Sequence, residues 1–277
     1  MSLRVLAFAI LAVPQLAWPQ EAPPAPAPPR ILVWERRPLK APLECRADGF
    51  EAAGIICSEE EPCRLFLELT AVDAAGPRIL VGGNVHTTSA TVSSLVLMSE
   101  DAGSTWHEPV RRFPAAGIEG IQFLNERQAW MAVQPHAQLA TDPYLLATTD
   151  AGANWQPQPI WSEEGRAGLL QLFYFQNKDH GFVLIDRSGA VSGSGRYEFY
   201  ETLTGGSTWI LRESSARPIQ PKGPPRRPPD WRLREDSKLK TYELERRVGD
   251  AWQRMANFAT DVGVCKDLGS RPVIPNP

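Results

Sequence analysis

A repeating all-β fold, cut into about four or five four-stranded units, is what this sequence predicts, and three observations predict it. One eight-residue turn signature returns at nearly regular intervals. The stretches between its copies are short apolar runs bounded by Gly, Asn, Asp or Pro, and no stretch carries a convincing helical periodicity.

The signature is plainest at Ser99-Glu-Asp101-Ala-Gly103-Ser-Thr105-Trp106 and returns as Thr148-Thr-Asp150-Ala-Gly152-Ala-Asn154-Trp155. A third copy, Thr202-Leu-Thr204-Gly-Gly206-Ser-Thr208-Trp209, has Thr204 where Asp stood, and a faint fourth reads Gly249-Asp-Ala-Trp252. The four tryptophans stand 49, 54 and 43 residues apart. That spacing is close to the ~40–50 residues of a four-stranded β-propeller blade. The chemistry is that of a hairpin turn: an Asp at the end of one strand folds its carboxylate onto backbone N–H groups ahead of it. The Gly two positions on takes a positive φ, and the Trp opens the next strand and packs its ring beneath the turn. These residues are expected to make structure, not catalysis.

The strand expectations follow from period and composition. Apolar runs at Ile79–Val81, Leu95–Met98, Trp130–Val133, Tyr144–Leu146, Phe173–Phe175 and Phe182–Ile185 read as buried strands. Arg196–Glu201 and Lys240–Arg246 alternate partially at period two, with one face wet. One full unit runs Ile118 to Leu124, Ala129 to Val133, Tyr144 to Thr149 and Trp155 to Trp161, with the signature on its last hairpin.

The pattern of residues 99–106 resembles the Asp-box, or BNR, repeat of sialidases, sortilin-type receptors and the photosystem II assembly-factor propellers. The resemblance covers roughly residues 63 to 258, strongly in two copies and weakly in two. It implies a β-propeller with the boxes on outer hairpins and ligands meeting other loops. The assembly-factor branch implies a non-enzymatic protein-binding role, and the sialidase branch implies glycan recognition with or without hydrolysis. Fold is implied more firmly than function, because one scaffold hosts many functions.

Residues 1–20, with Arg4, the apolar run Leu6–Ala12 and small residues near Ala17 and Ala22, read as a secretory signal; a membrane anchor needs a longer apolar run than Pro14, Gln15 and Pro19 leave. Residues 21–30 are a Pro/Ala-rich spacer, and 31–277 form the folded domain. The expected location is therefore outside the cytoplasm, periplasmic or secreted, with no spanning segment after signal removal. Net charge is −3, which gives no footprint for nucleic acid. Four cysteines, Cys45, Cys57, Cys63 and Cys265, favour disulfides in an exported chain, and zinc is disfavoured because no C-x-x-C pair is present. Three pairings are open; Cys45 with Cys57 and Cys63 with Cys265 is the weakly preferred one.

No metal, cofactor or catalytic set is expected. A sialidase needs an Arg-Ile-Pro motif, and Arg78-Ile79-Leu80 only approximates it. The adjacent pairs Tyr197-Glu198, Tyr200-Glu201 and Tyr242-Glu243 point to opposite strand faces, so none is a nucleophile pair. No G-x-S-x-G elbow is present, and His86, His107, His136 and His180 are dispersed. Residues 217–230, too rich in proline for a central strand, read as an extended basic loop carrying Arg217, Lys222, Arg226 and Arg227. Loops 84–93 and 135–142, which include His86 and His136, fall at the same point of successive units and mark the expected binding face. The expected partner is another extracytoplasmic protein, with a glycan as the alternative and a ligand-free structural domain as a third reading.

Overall fold

The computed structural model describes residues 30–35, 37–137, 142–188, 195–220 and 230–266. The expected leader, nearly all of the Pro/Ala spacer, and Lys222, Arg226 and Arg227 fall outside them.

In chain order the elements are β1 (Leu32–Val33), α1 (Ala47–Ala53), β2 (Cys63–Ala75), β3 (Arg78–His86), β4 (Thr91–Ser99) and β5 (Thr105–Trp106). There follow β6 (Ala116–Phe123), β7 (Ala129–Pro135), β8 (Tyr144–Thr148) and β9 (Gln156–Pro159), then β10 (Leu169–Phe175), β11 (Gly181–Asp186), β12 (Tyr197–Thr202) and β13 (Ile210–Ser215). The last are β14 (Trp231–Asp236), β15 (Thr241–Val248), β16 (Ala251–Ala259) and β17 (Asp261–Cys265).

Every named strand pairing is antiparallel, and strands follow one another in meanders. The first sheet is β17-β2-β3-β4, the second β6-β7-β8-β9, the third β10-β11-β12-β13 and the fourth β14-β15-β16. The first and last described strands are sewn in. The C-terminal β17 pairs with β2, so the first sheet uses strands from both ends of the domain. The N-terminal segment pairs β1 with β5, then bridges in parallel at Leu39 to Phe258 of β16. Trp34 Nε1 adds a bond to Asn257 Oδ1. Residues 31–62 thus complete no fifth unit; they lace the first sheet to the fourth and include the short helix α1, which the sequence did not announce.

Three hydrophobic clusters set the order of the sheets. Leu67, Val81, Leu95 and Leu97 of the first sheet pack on Leu244, Ala256 and Phe258 of the fourth. The first sheet's other face, with Leu80, Val96 and Met98, packs on Ile118, Met131 and Leu146 of the second. Trp130, Ala132 and Leu145 of the second then meet Phe175, Val183, Ile185 and Tyr200 of the third. Among the described residues no such cluster joins the third sheet to the fourth.

The signature turns explain themselves atom by atom. In the first copy the N–H of Gly103 donates to Ser99 Oγ (2.8 Å), the N–H of Thr105 to Asp101 Oδ1 (2.8 Å) and the Thr105 hydroxyl to Asp101 Oδ2 (2.7 Å). The second copy repeats this with Thr148, Asp150, Gly152 and Asn154. In the third, the Thr204 hydroxyl takes over the carboxylate's place, accepting from the N–H of Thr208 (2.9 Å), while Thr202 Oγ1 accepts from Gly206 (3.0 Å). Gly103, Gly152 and Gly206 sit at φ of 97°, 88° and 100°, and the residue before each is also left-handed, a conformation costly for any residue with a Cβ. Each turn also donates an N–H to the preceding hairpin of its own sheet: Ala102 to Pro77 O, Ala151 to Arg127 O and Gly205 to Asp179 O.

The fourth copy is not such a turn. Gly249 and Asp250 are a two-residue connection between Val248 and Ala251, nothing lies within 4 Å of a Cβ at Gly249, and Trp252 lies beneath the Arg232 guanidinium at 4.1 Å instead of under a turn. Without a hydroxyl or carboxylate at the strand end, the backbone has no side chain to fold around, and a plain hairpin results. Among the described residues this unit has three strands, β14-β15-β16.

The disulfides correct the preferred pairing. Cys45 joins Cys265, with Cα atoms 5.6 Å apart, and Cys57 joins Cys63 at 5.5 Å. Cys63 and Cys265 do lie opposite each other on β2 and β17. Yet Cys265 is fully buried in the core beside the segment entering α1, whereas Cys63 closes a short loop with Cys57.

Candidate binding groove

The inner strands share one device. β2, β6 and β10 each carry a register shift, between Leu69 and Ala71, Ile118 and Gly120, and Leu170 and Leu172. Each bulge kinks its strand where the next sheet approaches. There a glycine admits a neighbour's side chain: a Cβ on Gly82 would stand 2.6 Å from Ile118 Cγ2, and one on Gly120 would stand 2.7 Å from Phe173 Cε1.

Between β6 and β10, each the terminal strand of its sheet, the bulged backbones leave a groove of about 460 Å³. Its walls are residues 119–123 and 170–174, with Asp73 of β2 at one side. Two glutamines fix the separation of the walls. Gln122 makes a two-bond bridge to Phe175, Nε2 donating to its carbonyl (2.7 Å) and Oε1 accepting from its N–H (2.8 Å). Gln134 does the same at the far end, donating to Gly168 O (3.2 Å) and accepting from Leu170 N–H (3.0 Å). Asp73 accepts from the N–H groups of Phe123 (2.7 Å) and Ala74 (2.8 Å), so β2 is tied to β6. Burial pushes its carboxyl above the ordinary range, and these two bonds only partly offset it. The groove offers aromatic surface at Phe123, Phe173 and Tyr174, with polar groups at Glu119 and Gln171.

A second cluster lies between the second and third sheets. Glu198, buried, accepts from Arg166 (3.1 Å), Arg187 (3.1 Å) and the Tyr200 hydroxyl (2.6 Å), while Trp161 Nε1 donates to Tyr200 Oη (2.7 Å). Tyr200 therefore pairs with the glutamate two residues back, on its own strand face; reasoning on adjacent pairs missed it because only i, i+2 neighbours share a face. Burial, then the facing Glu198, pushes the phenol up to about 12, so it stays protonated. Arg187 also donates to the carbonyls of Ala167 and Arg166, which makes the cluster a clamp on residues 166–167.

Of the residues singled out as partner-binding, His86, His136 and Arg217 are described. His86 ends β3, its Nδ1 bonded to the Thr87 carbonyl, and leans on Phe66. His136 follows β7 and faces Glu119 at 3.6 Å, beside one wall of the groove. Arg217 follows β13 with its N–H bonded to Ser215 Oγ. His180 pairs with Glu201, and His107 sits in the bridge to Met98. Among the described residues no group of His, Cys, Asp and Glu is arranged to hold a metal. No described helix is long and apolar enough to cross a membrane.

Two antiparallel meanders of four strands, each turning on the signature at its last hairpin, and a third four-stranded sheet closed by β17, packed face to face, decide the architecture. These are propeller blades.

No protein-family model matches the chain, and no curated protein matches it in sequence. Solved structures with a similar course include YCF48 bound to D1 peptide, at 15% identity and a TM-score of 0.38, matched over 72% of this chain and 56% of that one. YCF48 from Cyanidioschyzon merolae gives 17% identity and a TM-score of 0.34, over 67% and 55% of the two chains. The GH74 xyloglucanase from Xanthomonas campestris gives 15% and 0.33, over 68% of this chain and 30% of that one. The chain thus spans about half the length of the YCF48 structures and a third of the xyloglucanase. At such scores the blade assignment rests on the sheet topology itself.

Proposed function

We propose that this is an exported, non-enzymatic propeller that binds a segment of another protein in the groove between β6 and β10. The observation that carries this is the groove's construction. Two terminal strands with aromatic and amide side chains line it, and two glutamine bridges hold it at fixed width. Edge backbone beside a groove suits an extended peptide, which adds main-chain hydrogen bonds and buries side chains in the groove. The Tyr200–Glu198 pair, buried and bonded to two arginines, is not read as a nucleophile, and the expected leader and the paired cysteines support a location outside the cytoplasm.

The test is a photo-crosslinking residue placed at Gln171, exposed in the groove, and separately at Glu100 on the signature hairpin, in the protein expressed in its native envelope. The proposal expects a discrete protein adduct from position 171 that is missing from position 100. Equal labelling from both positions, or no adduct together with retention of the protein on immobilised polysaccharide, overturns it in favour of a glycan ligand.

A further inference from the structure

Several sheet carboxylates in this fold are held by arginine. Glu198 accepts from Arg166 and Arg187, Glu243 pairs with Arg234 and Arg254, and Glu245 pairs with Arg232. Glu68 of β2 and Glu119 of β6 are different: among the described residues neither has a lysine or arginine partner. Glu119, one wall residue of the groove, faces His136 at 3.6 Å, and its side chain is 35% exposed. It folds back over Gly117, where a Cβ would stand 3.1 Å from Glu119 Oε1, 3.4 Å from His136 Nε2 and 3.6 Å from Asn84 Cβ. Asn84 is buried, at 4% exposure, and its Nδ2 donates to Glu68 Oε2 at 2.9 Å. The reverse orientation of the amide would set oxygen against oxygen. Asn84 Oδ1 is therefore left enclosed with no donor among the described residues, an exception in folded proteins that marks a place for a donor. Two carboxylates and an unused amide carbonyl thus gather at the Glu119 end of the groove. Asp73 adds a carboxyl at its Phe123 end, and among the described residues no lysine, arginine or histidine lines it.

We infer that the protein segment seated in this groove carries a lysine or arginine whose cationic head binds at Glu119, beside Asn84 and Glu68. The inference rests on the protein-binding reading above and names the chemistry of the partner. Charge complementarity selects this occupant. An ammonium or guanidinium carries N–H donors and no acceptor, which matches a cluster built of acceptors. Its bonds to carboxylate are charge-assisted, roughly twice as strong as bonds between neutral groups. An acidic segment would instead meet Asp73 and Glu119 as like charges, which suppresses wrong partners. The groove also suits the shape of a basic side chain: Ile121 and Phe173 offer apolar wall to the methylene stem, while the head stays at the polar end.

The test uses the full chain with the photo-crosslinking residue in place of Gln171, in its native envelope. The adduct is digested, and the crosslinked segment of the partner is sequenced by mass spectrometry. Expected is a lysine or arginine within a few residues of the crosslinked one. Glu119→Lys should lower the adduct yield about tenfold or more, while Glu213→Lys, the same charge change on the outer strand β13, leaves it unchanged. A fluorescein-labelled peptide of the mapped segment, followed by anisotropy, should bind the purified chain about tenfold tighter than the same peptide with glutamine in place of its basic residue. Should Glu119→Lys fail to fold, this peptide pair decides the matter on the unaltered protein. A mapped segment without lysine or arginine, equal binding of the two peptides, or equal yields from folded Glu119→Lys and Glu213→Lys overturns the inference and leaves the protein-binding reading standing. No adduct from position 171 removes both.

Discussion

Opening the two disulfides separately should cost very different amounts, because they close loops of very different length. Cys45–Cys265 spans 220 residues and Cys57–Cys63 spans six. In the chain-entropy description, a crosslink removes from the unfolded state an entropy that grows with the logarithm of the loop, about 5 kcal/mol for the long bridge and about 2 kcal/mol for the short one at 25 °C. The long bridge also pins β17, the strand that completes the first sheet, to the segment entering α1. Replacing Cys45 and Cys265 by Ser should therefore lower the urea midpoint by about 2 M, and replacing Cys57 and Cys63 by about 1 M, taking a slope of roughly 2–3 kcal/mol/M. A loss of about 5 kcal/mol is comparable to the whole stability of a marginal domain, so the first variant is expected to be partly unfolded at 37 °C. The assay is equilibrium urea unfolding, with a non-reduced peptide map to fix the connectivity. Equal midpoints for the two variants, a larger loss from the short bridge, or a map joining Cys63 to Cys265 would refute this reasoning.

Other expectations are checked by the same melts. Asp101→Ala removes the acceptor of the Thr105 N–H and hydroxyl and should cost about 1–2 kcal/mol; an unchanged midpoint would mean that the turn does not depend on the carboxylate. Burial works against ionisation of Asp101, yet bonds from Thr105 and Ser99 outweigh it and hold its carboxyl below the ordinary range. Since the folded value lies below the unfolded one of about 4, this stabilisation is present at neutral pH and disappears as pH falls below about 4; Asp101→Asn should flatten the fall in urea midpoint between pH 6 and pH 3. Gly120→Val should cost about 1–3 kcal/mol by driving Phe173 out of its seat, and should abolish the crosslink at position 171. Tyr200→Phe leaves Trp161 Nε1 buried without its acceptor and should cost about 1–3 kcal/mol.

The sequence by itself determined the repeat, and for local reasons. A hydroxyl, a carboxylate, a glycine and a threonine within seven residues supply the side-chain bonds of the turn they make, so Ser99, Asp101, Gly103 and Thr105 announce its geometry from consecutive sequence. The strands were legible because burial imposes alternation or unbroken apolar runs. The weak fourth copy misled because Gly and Trp at the right spacing fit a plain hairpin equally well. The tertiary structure alone decided what depends on residues far apart in the chain. Cys63 and Cys265 are opposite neighbours, yet each bonds elsewhere, because each lies close to a different third segment. The groove exists because bulges in β6 and β10 fall side by side and Gln122 reaches residue 175. Tyr200 finds Glu198 and Trp161 only once its strand faces the second sheet. Local turns are written in consecutive residues; surfaces are written in the register between strands, which no single stretch of the sequence contains.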